Sequence, residues 1–259
     1  MTTAPVALHH VVEGPEDAPA VLLGPSLGTT LAMWDTLAAR LAKQYRVVRF
    51  DTRGHGGSPV PEGPYTLPAL AADVLALADR LGIDRFGYAG ISLGGAIGQV
   101  LALEHPDRVA ALVLCCTGPA FGDPHLWLER AARVKAEGMG WLVEPTKGRW
   151  FTDGFADAHP DEAGPLLDMI AGVSPTGYAA CCEALAGYDV TDRLGGISAP
   201  TRVVAGAEDP VSPPEVARLL AERIPDADLV VLEGASHIAN AEQPDAFDTA
   251  VAEHLGRHL

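Results

Sequence analysis

Gly90-Ile91-Ser92-Leu93-Gly94 reads Gly-x-Ser-x-Gly and stands between a strand-like apolar run, residues 86–89, and a helical pattern, residues 93–104. A serine on so sharp a strand-to-helix turn needs neighbours without bulky side chains, and Gly90, Gly94 and Gly95 supply them. Such a turn lifts the hydroxyl out of the end of a sheet. It also places Ser92 at a helix N-terminus, where unpaired N–H groups and the helix dipole favour developing negative charge.

The flanking sequence repeats the same strand and helix alternation. Short branched apolar runs predict strands at 20–23, 46–50, 86–89, 109–114, 201–205 and 229–232, with an initial antiparallel edge strand around 6–12. Helical periodicity predicts helices at 33–43, 67–81, 93–104, 214–223 and 244–255. Thr66 is the expected N-cap of the second helix, Pro68 fits its first turn, and Gly82 closes it. The chain is therefore expected to be α/β, a mainly parallel sheet with helices on both faces. The alternation breaks after Thr117 and resumes near Pro200. Residues 119–192 read as short helices interrupted by Gly and Pro, the pattern of a helical cap over the strand ends where ligands bind in such sheets. A core in two parts, 1–118 and 193–259, is expected to flank this cap.

Charge narrows the partners. The net charge of −16 argues against nucleic acid or an anionic membrane surface, both of which would repel the protein. No segment approaches the roughly 18 apolar residues of a membrane-spanning helix. Met1 to Pro5 lacks the basic and apolar regions of a secretion signal, so a soluble cytoplasmic protein is expected. The four cysteines form two adjacent pairs, Cys115-Cys116 and Cys181-Cys182, a spacing that suits neither zinc nor an ordinary disulfide; buried free thiols are expected. Neither a metal nor an organic cofactor is expected.

A serine hydroxyl is a poor nucleophile near neutral pH and needs a base, which in turn needs an orienting acid. Asp209 follows the strand 201–205, and His237 follows the strand 229–232. The order Ser92, Asp209, His237 puts each residue on a loop after a strand, and loops leaving one edge of a parallel sheet converge in space. Glu208 is the rival acid, but the shorter side chain just before Pro210 is favoured. Among the other histidines, His55 is read as stabilising its own loop, His254 and His258 as a solvated pair complementing the last helix dipole, and His9 and His10 as facing opposite sides of a strand. An oxyanion formed at Ser92 needs N–H donors. The residue after the nucleophile, Leu93, supplies one, and the loop after residue 23 supplies the other, with Leu27 the choice. Ser26 in that loop either forms the turn or contacts substrate.

The chain resembles the α/β-hydrolase superfamily in its elbow, its Asp209 and His237 loops and the turn Arg53-Gly54-His55-Gly56. Within it the chain closely resembles the 3-oxoadipate enol-lactonase family. That likeness rests on Ser26-Leu27-Gly28-Thr29 with Met33-Trp34, on Phe50-Asp51-Thr52-Arg53-Gly54-His55-Gly56, and on cap segments that include Glu129-Arg130-Ala131-Ala132-Arg133, Arg149-Trp150-Phe151-Thr152 and Tyr178-Ala179-Ala180-Cys181-Cys182. Pro25 departs from the asparagine of many relatives.

The resemblance implies a small anionic lactone as substrate, hydrolysed to 3-oxoadipate in the protocatechuate branch of aromatic degradation. Binding an anion to an acidic protein requires local positive potential. Arg130, Arg133, Lys135, Lys147 and Arg149 provide it in the cap, and Arg133 is the first choice for the substrate carboxylate. Trp141 and Trp150 either wall the pocket or pack the cap onto the sheet. A general carboxylesterase or perhydrolase-like hydrolase is the alternative, and a receptor-like small-molecule binder on the same fold is the reading of another class.

Overall fold

The computed structural model describes residues 4–259, so Met1 to Thr3 of the N-terminal stretch lie outside the described residues. In chain order the core begins with β1 (His10–Glu13), β2 (Ala20–Gly24), α1 (Asp35–Leu41), β3 (Arg46–Phe50), α2 (Leu67–Arg80), β4 (Phe86–Ile91), α3 (Leu93–Glu104) and β5 (Val109–Cys115). Five helices follow: α4 (Pro124–Glu137), α5 (Val143–Trp150), α6 (Phe155–Ala158), α7 (Pro160–Gly172) and α8 (Pro175–Ala186). The core then resumes with β6 (Thr201–Gly206), α9 (Pro214–Arg223), β7 (Ala227–Leu232), α10 (Ala239–Glu242) and α11 (Pro244–His258).

The strands form one sheet in the order β1-β3-β2-β4-β5-β6-β7, with β1 antiparallel and the other neighbours parallel. Strands β2, β4, β5 and β6 are buried along their whole length. Helices cover both faces there, which is why these strands read as continuous apolar runs rather than alternating ones. Leu22 and Leu112 are fully buried, and each such side chain contributes about 2 kcal/mol on leaving water. The order reverses between β2 and β4, where ligand crevices of such sheets open. Gly24 pairs with Gly90 across that boundary, so the chain after β2 and the elbow after β4 leave the sheet side by side.

Local chemistry sets the ends of the elements. Thr66 caps α2 by accepting from the Ala69 N–H at 3.2 Å, and Gly82 beyond its end takes φ +68°. Two expected elements differ from what forms. The edge strand begins at His10 rather than residue 6, because Val6 N–H donates to Asp73 Oδ1 and His9 N–H to Ser58 Oγ, side-chain acceptors outside any ladder. The helix expected at 33–43 divides into a 3-10 turn, Leu31–Trp34, and α1, with Thr30 capping the turn.

Of the histidines outside the site, one is placed differently from its sequence reading. His254 is buried rather than solvated; its Nε2 lies 3.0 Å from the Pro200 carbonyl oxygen, and burial lowers its pKa. His9 places Nδ1 2.7 Å from Asp51, while His10 lies against the Leu8 carbonyl oxygen. All four cysteines are free and buried. Among the described residues no helix is long and apolar enough to cross a membrane.

Candidate active site

Ser92 follows the last residue of β4 and has φ +55° and ψ −113°, a conformation that costs a non-glycine residue strain. The surrounding bonds hold it there. Ser92 N–H donates to the Cys115 carbonyl at 3.0 Å, and the Ser92 carbonyl accepts from Thr117 Oγ1 at 2.8 Å and from Ala96 N–H at 3.0 Å. Close backbone approach accounts for two of the glycines: a Cβ on Gly94 would lie 2.1 Å from the Gly24 carbonyl oxygen, and one on Gly90 2.4 Å from the Gly94 carbonyl carbon.

Strands β6 and β7 pair up to Gly206 and Leu232, and the loops that follow bring Asp209 to His237. Asp209 Oδ2 lies 2.8 Å from His237 Nδ1, with both side chains buried. The other carboxylate oxygen accepts from the N–H groups of Val211 and Ser212 at 2.8 and 3.0 Å. An oxygen turned to Nδ1 makes that nitrogen the donor, which leaves Nε2 free to accept a proton. Glu208 is exposed and meets the His237 loop only through its backbone, with its N–H donating to the Ala235 carbonyl at 3.0 Å.

The loop after β2 is organised around one uncommitted donor. Ser26 N–H donates to Met33 Sδ at 3.3 Å, Gly28 N–H to His55 Nε2 at 3.1 Å, and Thr29 N–H to the Ser26 carbonyl at 3.2 Å. Among residues 26–29 only the Leu27 N–H has no acceptor in the protein. Leu93 N–H, in the first turn of α3, likewise lacks an intrahelical acceptor. His55 is fully buried, and burial lowers its pKa to about 4, so it serves as a neutral acceptor beneath this loop.

Ser92 and His237 open onto one cavity whose core-side wall includes Ser26 and Leu27. From the inserted helices, Arg130, Arg149 and Trp150 line it. Arg133, the first choice on sequence, lies elsewhere. Its side chain is half exposed, it donates to Glu137 at 2.9 Å, and its guanidinium stacks 3.9 Å from the centroid of the Trp141 ring. Arg133 and Trp141 therefore cover each other and do not line the cavity. One turn away on α4, Arg130 lies 4.5 Å over the Trp127 ring and lines the cavity together with Tyr178.

Arg149 donates to Thr146 Oγ1 at 3.1 Å, and its pKa is lowered by burial and then by the charge of Arg130. Among the described residues neither Arg130 nor Arg149 has a carboxylate partner. Trp127 and Tyr178 also line the cavity and were not singled out as contacts by sequence reasoning. The i,i+4 spacing of Arg133 and Glu137 was a readable sign that Arg133 is already compensated on the helix surface.

Residues 19–244 match the family described as alpha/beta hydrolase fold, a span that holds the elbow, Asp209 and His237. The chain is 42% identical over 257 residues to 3-oxoadipate enol-lactonase 2 of Acinetobacter baylyi, covering 99% of this chain and 96% of that protein. It is 38% identical over 236 residues to 3-oxoadipate enol-lactonase 1 of the same organism, covering 91% and 88%. The crystal structure of the enol-lactonase from Burkholderia xenovorans LB400 superposes with a TM-score of 0.94 at 39% identity, covering 97% of this chain and 100% of that one. On its sheet order, its serine elbow and a family match over most of its length, this chain belongs to the α/β-hydrolase family.

Proposed function

We propose that the protein hydrolyses 3-oxoadipate enol-lactone to 3-oxoadipate in the cytoplasmic breakdown of aromatic compounds, with Ser92, His237 and Asp209 as a catalytic triad beneath a helical cap of residues 119–192. The observation that carries this reading is the pair Arg130 and Arg149, two guanidiniums without carboxylate partners that line the same cavity as Ser92 and His237. Like charges held together in a partly desolvated wall are costly unless an anion joins them, and a guanidinium binds a carboxylate bidentately. The site is therefore suited to an ester that carries its own carboxylate. This assignment moves the carboxylate contact from Arg133 to Arg130 and Arg149.

In this scheme His237 Nε2 takes the Ser92 proton as Oγ attacks the lactone carbonyl carbon. The oxyanion is met by the N–H groups of Leu27 and Leu93, both left uncommitted by the fold. The ring C–O bond then breaks. Its oxygen leaves as an enolate, a better leaving group than an ordinary alkoxide, and takes the proton held on His237 as an enol, which becomes the ketone by losing the O–H proton and gaining one at the α-carbon. The acyl-enzyme is cleaved by water that His237 deprotonates, and the new carboxylate is released. Trp150 and Ser26 line the substrate space in this reading.

The test is turnover of freshly generated lactone beside a neutral aryl ester, with Ser92→Ala as control. Fast, serine-dependent loss of the lactone with weak ester cleavage is expected. Ester cleavage without lactone turnover would leave a general carboxylesterase and overturn the lactonase reading.

A further inference from the structure

Glu242, at the end of α10 and five residues beyond His237, turns back into the protein and is buried. Its Oε1 accepts from both the N–H and the Oγ1 of Thr152 at 2.7 Å, and its Oε2 accepts from the Ser236 N–H at 2.5 Å. Thr152 lies on the segment that follows α5, two residues beyond Trp150. On the other side of His237, the Ile238 N–H donates to the Trp150 carbonyl at 3.0 Å. The residues on both sides of His237 are thus tied to segment 150–152, Ile238 directly and Ser236 through the Glu242 carboxylate. That segment directly follows Arg149, and it carries Trp150, so the same few residues line the cavity and hold the histidine.

The chemistry calls for a carboxylate at 242. Donors approach it from two sides, and only an ionised acid accepts at both oxygens; an amide of the same shape would turn an NH2 group toward one of them. Among the described residues Glu242 has no cationic partner, so its role is met by these hydrogen bonds.

We propose that Glu242 is a positioning residue that sets His237 by coupling it to the seating of segment 150–152 over the cavity. This inference rests on the reading of Ser92 and His237 as the reacting pair. Displacing the segment releases both restraints on His237 together, so that the base is aligned when Trp150 and Arg149 stand in place.

The experiment compares Glu242→Gln and Thr152→Val with the native enzyme in three measurements: melting temperature, kcat and KM for the lactone well below that temperature, and the rate at which diethyl p-nitrophenyl phosphate phosphorylates Ser92. The organophosphate needs His237 but carries no carboxylate. For Glu242→Gln, kcat and the phosphorylation rate should both fall by about 10- to 100-fold while KM stays within about threefold, the range seen when an orienting partner is lost. Thr152→Val keeps its N–H donor and should show the same pattern at about threefold to fivefold; it carries the test alone if Glu242→Gln does not fold. Rates within twofold of native, with only the melting temperature lowered, would make Glu242 a structural residue and overturn the proposal. A raised KM with unchanged phosphorylation would overturn it too, by moving the effect to substrate recognition. Lactone turnover surviving in Ser92→Ala or His237→Ala would instead remove the underlying reading, whatever the Glu242 variant does.

Discussion

The N–H of Gly28 donates to Nε2 of His55 at 3.1 Å, and this bond holds the residue next to Leu27 in place. Ser26, on the other side of Leu27, is held by Met33 Sδ. The loop is fixed by its neighbours, and the Leu27 N–H is spared for another acceptor. The arrangement requires a neutral imidazole with Nε2 unprotonated, and its burial enforces that state.

His55 therefore makes stability sensitive to acid. The unfolded chain protonates this histidine near pH 6.5 and the folded one only near pH 4. Between those values the unfolded state binds more protons, so stability falls as pH drops, by on the order of 3 kcal/mol across the whole window. Urea unfolding at neutral pH and near pH 5 should show the decline in the native protein and a smaller one in His55→Gln. Equal declines in both would place the acid sensitivity on other groups.

Ser92→Gly should abolish turnover and raise the melting temperature. The native φ of +55° is strained for serine and free for glycine, so removing the side chain should recover about 1 kcal/mol while it deletes the proposed nucleophile. A variant less stable than the native protein would show that the Ser92 side chain contributes more by packing than its backbone costs.

Arg130→Ala and Arg149→Ala should each raise KM for the lactone by about 10- to 100-fold, the worth of one charged hydrogen bond of about 1.5–3 kcal/mol. Cleavage of a neutral aryl ester should change little in either variant. Arg133→Ala should leave both substrates nearly unaffected, since its partners are Glu137 and the Trp141 ring. A KM effect confined to Arg133→Ala would reverse the assignment.

Arg53 donates through Nε and Nη2 to the two carboxylate oxygens of Asp73 at 2.6 Å, with both side chains almost fully buried. Asp73→Ala leaves a buried guanidinium without this acid, and a loss of about 3–5 kcal/mol in unfolding free energy is expected. Chemical denaturation monitored by circular dichroism measures it. A loss below about 1 kcal/mol would mean that other groups around Arg53 take over the carboxylate's role.

Strands β2 to β6 were readable because both faces of each are covered and composition alone marks a doubly buried strand. The boundaries were less so. Residues 6–9 carry strand-like composition, yet their partners are Asp73 and Ser58, side chains far along the chain that no local pattern reveals. His254 was misread as solvated for a related reason: its burial comes from the Pro200 carbonyl and the sheet beneath α11, neither of which a helical pattern contains.

By itself the sequence determined the α/β alternation, the glycine-lined elbow at Ser92 and the loops that carry Asp209 and His237. These features follow from local sterics, from periodicity and from the rule that parallel strands discharge their loops at one edge. Tertiary structure alone decided which cap arginines line the cavity, because Arg130 and Arg133 stand three residues apart on one helix and differ only in what faces them. It also decided that Glu242 joins Ser236 to Thr152, groups separated by more than eighty residues. Local spacing constrains which residue types can begin a turn or a helix; the partner of a buried charge depends on how distant segments pack, and that emerges only once the chain has folded.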